Sequence, residues 1–513
     1  LPNLKLNSMF GRIERGSDVE YRTKFYDGLS VAEVLDMWLP HLTKLDAQWP
    51  TLVEFERDLA SKVGPMSIMK PLSERMDDIE SYYESILLDS EPISSAAIQA
   101  TLQKWGVNGA LHERDQWNTV QLMKKSKNSG SPFYAKKRDV LGETLPCAVY
   151  WEDSGVEGYP VVYQSVHGSR YKACAILGWR GQEGGPEIDD VKQRIVWMFP
   201  FAVNIRELQV YQPLIEVSQQ KNVVPAWVSM EAVDERITRL FDTKSRDDVI
   251  VCTDFTKFDQ HFNPNLQDAA HTLLSNMLDN SESSKEWLDE VFPIKYNIPL
   301  AIGMDKLVVG LHGMGSGSGG TNADETLVHT ALQYEAAQRA GRVLNPNSMC
   351  LGDDGILSYP GITAKDVTDS YSRHGLSMNL SKQYESKDDC TYLRRWHHRR
   401  YRHRGICVGV YSTCRALGRL CEQERFYDPR KWSREMVALR QLSILENLKY
   451  HPLKEEFVEF CIRGDKYRLG LDIPGFYRDI VRIADEANEM IPDFLGYTRS
   501  QQQAGSIQDW WIV

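Results

Sequence analysis

Met349-Cys350-Leu351-Gly352-Asp353-Asp354-Gly355-Ile356-Leu357 is an apolar run, a Gly-Asp-Asp-Gly turn and an apolar return. Such a stretch predicts a β-hairpin with an acidic tip. Taken alone it needs no function, because Gly and Asp suit turns for conformational reasons. Working outward, the apolar residues 249–253 end in Asp254, as a buried strand would, and Asp259 follows five positions later. Between the two acid pairs, residues 313–321 form a glycine-rich loop. It opens a helix expected to run to a stop at Gly341, with Leu327, Ala331 and Leu332 on one face. Helical periodicity also covers residues 265–280, and a helix over residues 363–373 begins with Thr363 and Asp366 and stops at Gly375. Strand, helix, hairpin and helix in this order predict an α+β layer.

The rest of the chain sets bounds on what this centre can do. With 513 residues and 42% hydrophobic content it can bury a large core, in roughly two to four domains. The first hundred or so residues read as mostly helical, with Ser94 and Ser95 opening an apolar stretch to Trp105. Residues 124–206 read as strands and basic loops, with a turn at Gly184-Gly185-Pro186. Helical periodicity returns from Leu420 until the polar Gln501-Gln502-Gln503. No apolar run approaches the ~20 residues needed to span a bilayer, and Lys5 and Arg12 break the start, so a soluble intracellular protein is expected. The nine cysteines contain no C-x-x-C pair. His397, His398, His403, Cys407, Cys414 and Cys421 match no common zinc spacing, so zinc is the weaker reading there. A net charge of -11 repels phosphate in general, so any contact with nucleic acid must be local. Two basic stretches offer one: residues 124–138, and residues 394–404 (RRWHHRRYRHR), where Trp396 and Tyr401 interleave.

Carboxylates gathered at strand ends repel one another unless a cation neutralises them. The expected occupant is Mg²⁺ or Mn²⁺, as two ions about 3.5–4 Å apart, which activate an attacking 3′-hydroxyl and hold a leaving pyrophosphate. The loop Gly313 to Thr321 is a poor nucleotide P-loop, since no Lys follows its final Gly. It suits close approach of backbone to a ligand instead.

In order and spacing, residues 254–260 (DFTKFDQ), 316–326 (SGSGGTNADET) and 351–355 (LGDDG) resemble motifs A, B and C of viral RNA-dependent RNA polymerases. Within that family the wording is most similar to the polymerases of picobirnaviruses, which have bisegmented double-stranded RNA. The resemblance implies a right-hand fold of fingers, palm and thumb, its antiparallel palm sheet flanked by helices. It divides the chain into a helical extension joining fingers and thumb (1–110), fingers (111–244), palm (245–264), a fingers insertion (265–304), palm (305–410), and thumb with tail (411–513). Asp254 and Asp353 would bridge two metal ions and Asp354 would assist. Asp259 would meet the ribose, and Ser316, Gly317, Thr321 and Asn322 the templating base and the nucleotide. Glu325 stands where many positive-strand polymerases carry Asn, which puts their ribose-selecting hydrogen bonds in question.

Lys192 and Arg194 are similar to motif F, whose cations balance the incoming triphosphate. Ser129 and Gly130 resemble motif G at the template entrance. Lys382 resembles the motif D lysine, as a general acid or a phosphate clamp, with Lys387 a nearby competitor. Arg394, Arg395, Arg399 and Arg400 fall in a stretch similar to motif E, which grips product RNA.

The implied activity is replication and transcription of a viral RNA genome from nucleoside triphosphates, with primer-independent initiation. The implied partners are single- and double-stranded RNA and a capsid protein, with no membrane, in the virion interior or host cytoplasm. A reverse transcriptase would usually place an aromatic two positions before the Asp pair, where this chain has Leu351-Gly352, and a bulky gate after the first acid, where it has Asp259. A non-catalytic RNA-packaging protein would have no use for three intact acids. The apolar end Trp510-Trp511-Ile512-Val513 should seek a groove, either on the thumb or, folded back, in the active-site cavity.

Overall fold

A computed structural model describes residues 3–153, 157–490 and 506–513. At its centre is a four-stranded antiparallel sheet in the order Met349–Leu351, Asp354–Leu357, Ile250–Thr253, Tyr384–Ser386. The expected hairpin and strand are therefore neighbours, paired Gly355 to Thr253 and Leu357 to Val251. Every residue of Ile250–Thr253 is buried, as an apolar strand covered on both faces should be. Helix Thr321–Arg339 packs on this sheet and against helices Ser95–Trp105, Pro264–Met277 and Ala364–Ser372. The two later stops fall where glycine permits a left-handed turn, at Gly341 (φ 67°) and Gly375 (φ 78°).

A second four-stranded sheet orders Lys192–Met198, Ala175–Gln182, Leu300–Gly303 and Lys306–Val308, and lies beside the glycine-rich loop. There, a Cβ on Gly317 would sit 1.6 Å from the Trp197 carbonyl oxygen, so the loop and the strand can touch only through glycine. Downstream, Asp389–Tyr392 and Arg395–His398 form a hairpin whose turn residues, Leu393 and Arg394, both have positive φ.

The N-terminal hundred residues divide between two cores. Phe10, Ile79 and Trp105 join the core around the central sheet. Phe25, Trp38 and Leu52 instead join a second core with Leu417, Leu442, Phe457 and Trp510. At that junction Glu56, fully buried, accepts from the Thr413 and Cys414 backbone N–H groups, the Thr413 Oγ1 and the Ser412 Oγ, and lies 3.1 Å from His451 Nε2. Burial alone would raise its pKa, but His451 and the Cys414 contacts bring it below the usual carboxylate value. Glu56→Ala is expected to cost about 3 kcal/mol, because it strips a helix N-terminus and leaves buried donors unpaired. A lowered thermal midpoint measured by calorimetry checks this.

The apolar end takes the first of its two expected courses. Trp510 is buried in the second core, and Trp511 Nε1 donates to the Glu446 carbonyl at 3.0 Å with Lys454 over its ring. It packs on helices Arg434–Glu446 and Lys454–Gly464 and does not enter the cleft at the acids. The glutamine run 501–503 lies outside the described residues. No helix among the described residues is long and apolar enough to cross a membrane.

Candidate active site

The register that pairs Thr253 with Gly355 places Asp254 beside Asp354 at one end of the sheet, with Asp353 at the turn. Each is fixed by main-chain contacts. Asp254 N donates to Gln383 Oε1, and Gln383 Nε2 donates to the Asp254 carbonyl, both at 2.8 Å. The turn is held by Gly352 N donating to Thr326 Oγ1 (2.9 Å) and by His329 Nδ1, 2.8 Å from the Gly352 carbonyl. Burial pushes His329 down to about 4, so it is neutral and cannot partner the acids as a cation. The Asp354 carboxylate accepts from Leu393 N at 2.8 Å, which ties the acidic turn to the downstream hairpin.

Burial raises the pKa of all three acids, and Asp254 adds to the rise at Asp353. Asp354 is pushed up to about 7, with Asp353 and Asp254 contributing. Lys382, Lys62 and Lys192 oppose the rise at Asp254, and Arg194 and Arg394 oppose it at Asp353. A divalent cation would relieve the same repulsion, so this donor set fits a hard, oxygen-seeking ion. Among the described residues no three His, Cys, Asp or Glu side chains are drawn together closely enough to hold a metal ion as they stand. Among the acids, Asp354 has one carboxylate oxygen engaged by Leu393 N. For the His/Cys stretch, His397 Nδ1 lies 3.0 Å from the Cys407 carbonyl and all six of its residues lack a convergent centre.

The family profile described as viral RNA-dependent RNA polymerase matches residues 110–415. The chain belongs to that family. It is 58% identical over 521 residues to a "Potential RNA-dependent RNA polymerase" of Human picobirnavirus (strain Human/Thailand/Hy005102/-), covering 100% of this chain and 96% of the relative. The crystal structure of the RNA-dependent RNA polymerase of a human picobirnavirus matches with a TM-score of 0.94 at 58% identity, over 100% of this chain and 96% of that one. An insertion-loop deletion mutant of such a polymerase matches at 0.92 and 57%, over 98% and 97%. The right-hand polymerase fold and the enzymatic class follow, and the reverse transcriptase and packaging readings fall away.

Around the acids of this polymerase, the expected residues sort into those that face the cleft and those spent inside the protein. Lys192, Arg194, Lys382 and Arg394 are exposed, and their charges are felt at the acids. Lys387 follows the strand end that pairs with Ile250, so it stands at the opposite end of the sheet from Asp254 and is no competitor for Lys382. Asn322 is exposed above the turn, 3.7 Å from where a Gly352 Cβ would be, and its Oδ1 accepts from Trp227 Nε1. Ser316 Oγ bonds the Trp197 and Ile195 main chain, and Thr321 Oγ1 donates to Gly315 and Ser318 carbonyls, so both hydroxyls shape the loop.

Three placements differ from what the sequence suggested. Ser129 and Gly130 are buried: Ser129 bonds Ala135, and a Cβ on Gly130 would lie 2.8 Å from the Phe199 carbonyl. Side-chain contact with RNA is closed to them. Arg395, the first residue of the strand after the turn, is drawn inward to Asp234 at 2.6 Å. Arg399 pairs with Asp388 at 3.1 Å, whereas Arg400 stays exposed with its guanidinium 6.0 Å from the Trp49 ring.

Several residues were not anticipated. Glu207, fully buried, accepts from Ser318 Oγ and Gly319 N, and Asn204 Nδ2 donates to both Glu207 and the Gly317 carbonyl, so helix Phe201–Gln220 grips the loop. Asp324 pairs with Lys295 beneath that loop. Neither Glu207 nor Lys295 carries a signal in sequence, because the partners that explain each charge, Ser318 and Gly319 for Glu207 and Asp324 for Lys295, lie far along the chain.

Proposed function

We propose that this polymerase extends RNA by two-metal phosphoryl transfer, with Asp254, Asp353 and Asp354 holding two Mg²⁺ or Mn²⁺ ions. The observation that carries the reading is the gathering of these acids at one sheet end, facing the cations Lys192, Arg194, Lys382 and Arg394. Bound ions would activate the 3′-hydroxyl and stabilise the charge on the α-phosphate. The protein's part is positional. Lys192 and Arg194 offset the charge of the triphosphate, so that its α-phosphorus can face the 3′-oxygen. As the bond between that oxygen and phosphorus forms, the bond to the β-phosphate's bridging oxygen breaks, and Lys382 protonates or clamps the departing pyrophosphate. Arg394 and Arg400 meet the product strand, and Ser316, Gly317, Thr321 and Asn322 shape the floor under the templating base. The chain divides as extension (1–110), fingers (111–244 and 265–304), palm (245–264 and 305–410) and thumb (411–513), supported by the second core that residues 25–63 share with residues 410–487, Ile507 and Trp510. Initiation without a primer, replication and transcription beside a capsid protein, and residence in the virion interior or host cytoplasm complete the reading. The test is RNA synthesis on a short RNA template with four nucleoside triphosphates and Mg²⁺ or Mn²⁺. Template-length product is expected, and its absence with either metal would overturn the reading.

Asp259 and Glu325 make a further part of this site. Their carboxyls share a hydrogen bond, and burial raises both pKa values, Glu325 far above the usual range. Two buried carboxyls this close hold one proton between them, and Asp259, the less buried of the two, is the one placed to accept from the ribose 2′-hydroxyl. A neutral carboxyl thus does what an Asn amide would do. Glu325→Gln is expected to keep ribose selection, whereas Asp259→Ala should lower discrimination against 2′-deoxynucleotides by about tenfold, the worth of one good hydrogen bond. Comparing incorporation of ATP and dATP by the two variants checks both.

A further inference from the structure

Trp227 sits on the short helix Pro225–Val228, and its backbone is pinned on both sides. Trp227 N donates to the Val224 carbonyl at 3.0 Å, and Gln219 Nε2 donates to the Trp227 carbonyl at 2.8 Å. The half-buried indole packs on the central core, yet its N–H points out of it. Nε1 donates to Oδ1 of Asn322, 2.8 Å away, an exposed residue in the first turn of helix Thr321–Arg339. An indole N–H can only donate, so the amide oxygen must face Trp227 and the NH2 must face away from it. That second direction is the acidic turn: Asn322 Nδ2 lies 3.7 Å from where a Cβ on Gly352, the residue before Asp353, would stand. Gly352 cannot use the NH2, because its own N–H is engaged by Thr326 Oγ1 and its carbonyl by His329 Nδ1. Among the described residues the Asn322 NH2 has no acceptor. Satisfying the indole needs only an oxygen, and asparagine supplies two open donors besides.

We propose that Trp227 is a positioning residue of this polymerase, holding the Asn322 amide so that its NH2 donates to a sugar or phosphate oxygen at the acidic turn. That oxygen belongs either to the incoming nucleotide or to the 3′-terminal residue of the growing RNA, the two groups that must meet there. The inference rests on the active site proposed above. It adds to that site a residue from outside the stretches that resemble polymerase motifs.

The test uses the full chain with Asn322→Ala, Asn322→Asp, Trp227→Phe, and the double variant Trp227→Phe with Asn322→Ala. In Asn322→Ala, either the KM for ATP or the Kd for an RNA duplex with a recessed 3′ end should rise about five- to tenfold, the worth of one hydrogen bond, carried by binding rather than by kcat. A rise in KM places the oxygen on the nucleotide, and a rise in Kd places it on the RNA. Asn322→Asp still accepts from the indole but has no NH2, so the same constant should rise at least as far. Trp227→Phe keeps an aromatic ring without the N–H. It should raise that constant about two- to fivefold, because a freed amide takes the right orientation only part of the time. The double variant should be no worse than Asn322→Ala, since Trp227 acts only through that amide. Unchanged constants in Asn322→Ala or Trp227→Phe overturn the proposal, as do wild-type constants in Asn322→Asp or a loss confined to kcat. So do effects that multiply in the double variant, which mark a separate structural role for Trp227. If wild type makes no RNA at all, the active-site reading fails on its own. Direct binding of magnesium ATP and of the recessed duplex then decides on Trp227. Binding weakened by both single variants and no further by the double supports it, and unweakened binding overturns it.

Discussion

Replacing Asp353 with alanine is expected to lower templated RNA synthesis at least about a hundredfold, a loss of about 3 kcal/mol of transition-state stabilisation, while the protein stays folded. The two halves of this result have one cause. Asp353 is open to solvent at the turn as a residue, yet the protein around its carboxylate withdraws enough water to raise its pKa, and the Asp254 charge raises it further. An acid whose folded pKa is raised binds its proton more tightly in the folded state. Ionising it at neutral pH therefore costs stability, a cost absent below its unfolded pKa and fully present above its folded one. Alanine removes that cost along with the proposed metal ligand. The thermal midpoint at pH 7 should thus match or exceed that of wild type, and the gap should close in acid. Gel analysis of products beside a thermal melt gives both numbers. Equal synthesis by the variant would remove Asp353 from the metal site, and a collapsed midpoint would make the loss of activity a folding defect.

The acidic centre was legible in the sequence because its parts are local. A Gly-Asp-Asp-Gly turn between apolar runs must be a hairpin, and an apolar run ending in Asp254 must be a strand whose acid lies at its end. Register then does the rest, and 253 opposite 355 is the pairing that two such elements reach when both bury their apolar residues. The glycine loop was legible for a similar reason, although the partner that demands glycine at 317, the Trp197 carbonyl, was not. What could not be read were contacts between distant segments. Glu207 and Gly319 are far apart in the chain, yet the one accepts from the other's backbone, and nothing in either's neighbourhood announces the other. The basic run 394–404 misled for the opposite reason: its density suggested one RNA-facing surface, yet Arg394 stands out at the turn while Arg395, the first strand residue, turns in to Asp234. Composition gives the amount of charge, and only pairing gives its direction. Ser129 and Gly130 make the same point, since a loop flanked by lysines reads as exposed until the Phe199 carbonyl is found packed against it.

Asp324→Ala is the substitution expected to damage the fold most. Asp324 sits one turn into helix Thr321–Arg339, within the stretch that resembles motif B, but its side chain points away from the cleft. Its carboxylate is 3.0 Å from Lys295 Nζ, both side chains being 0% exposed, and it accepts from the Tyr211 hydroxyl at 2.6 Å and the Tyr296 hydroxyl at 2.7 Å. Burial lowers the Lys295 pKa, and Asp324 is the first of the charges that hold it up. Without Asp324, the ammonium keeps the Phe292 carbonyl at 2.8 Å, the Phe292 ring and the more distant Glu207, with no carboxylate in contact. Breaking a buried pair this way typically costs about 3–5 kcal/mol, because it leaves an uncompensated charge in the interior. Glu207 also grips Ser318 and Gly319, so a displaced Lys295 would be felt in the loop above, and synthesis should fall with stability. The pair Asp324→Leu with Lys295→Met separates charge from shape. Removing both charges should recover part of the midpoint lost by Asp324→Ala, but not all of it, since two tyrosine hydroxyls would still lack their acceptor. Thermal melts of the single and double variants measure this. A double variant no more stable than the single one would show that the tyrosine contacts, and not the buried lysine, are what Asp324 is there to satisfy.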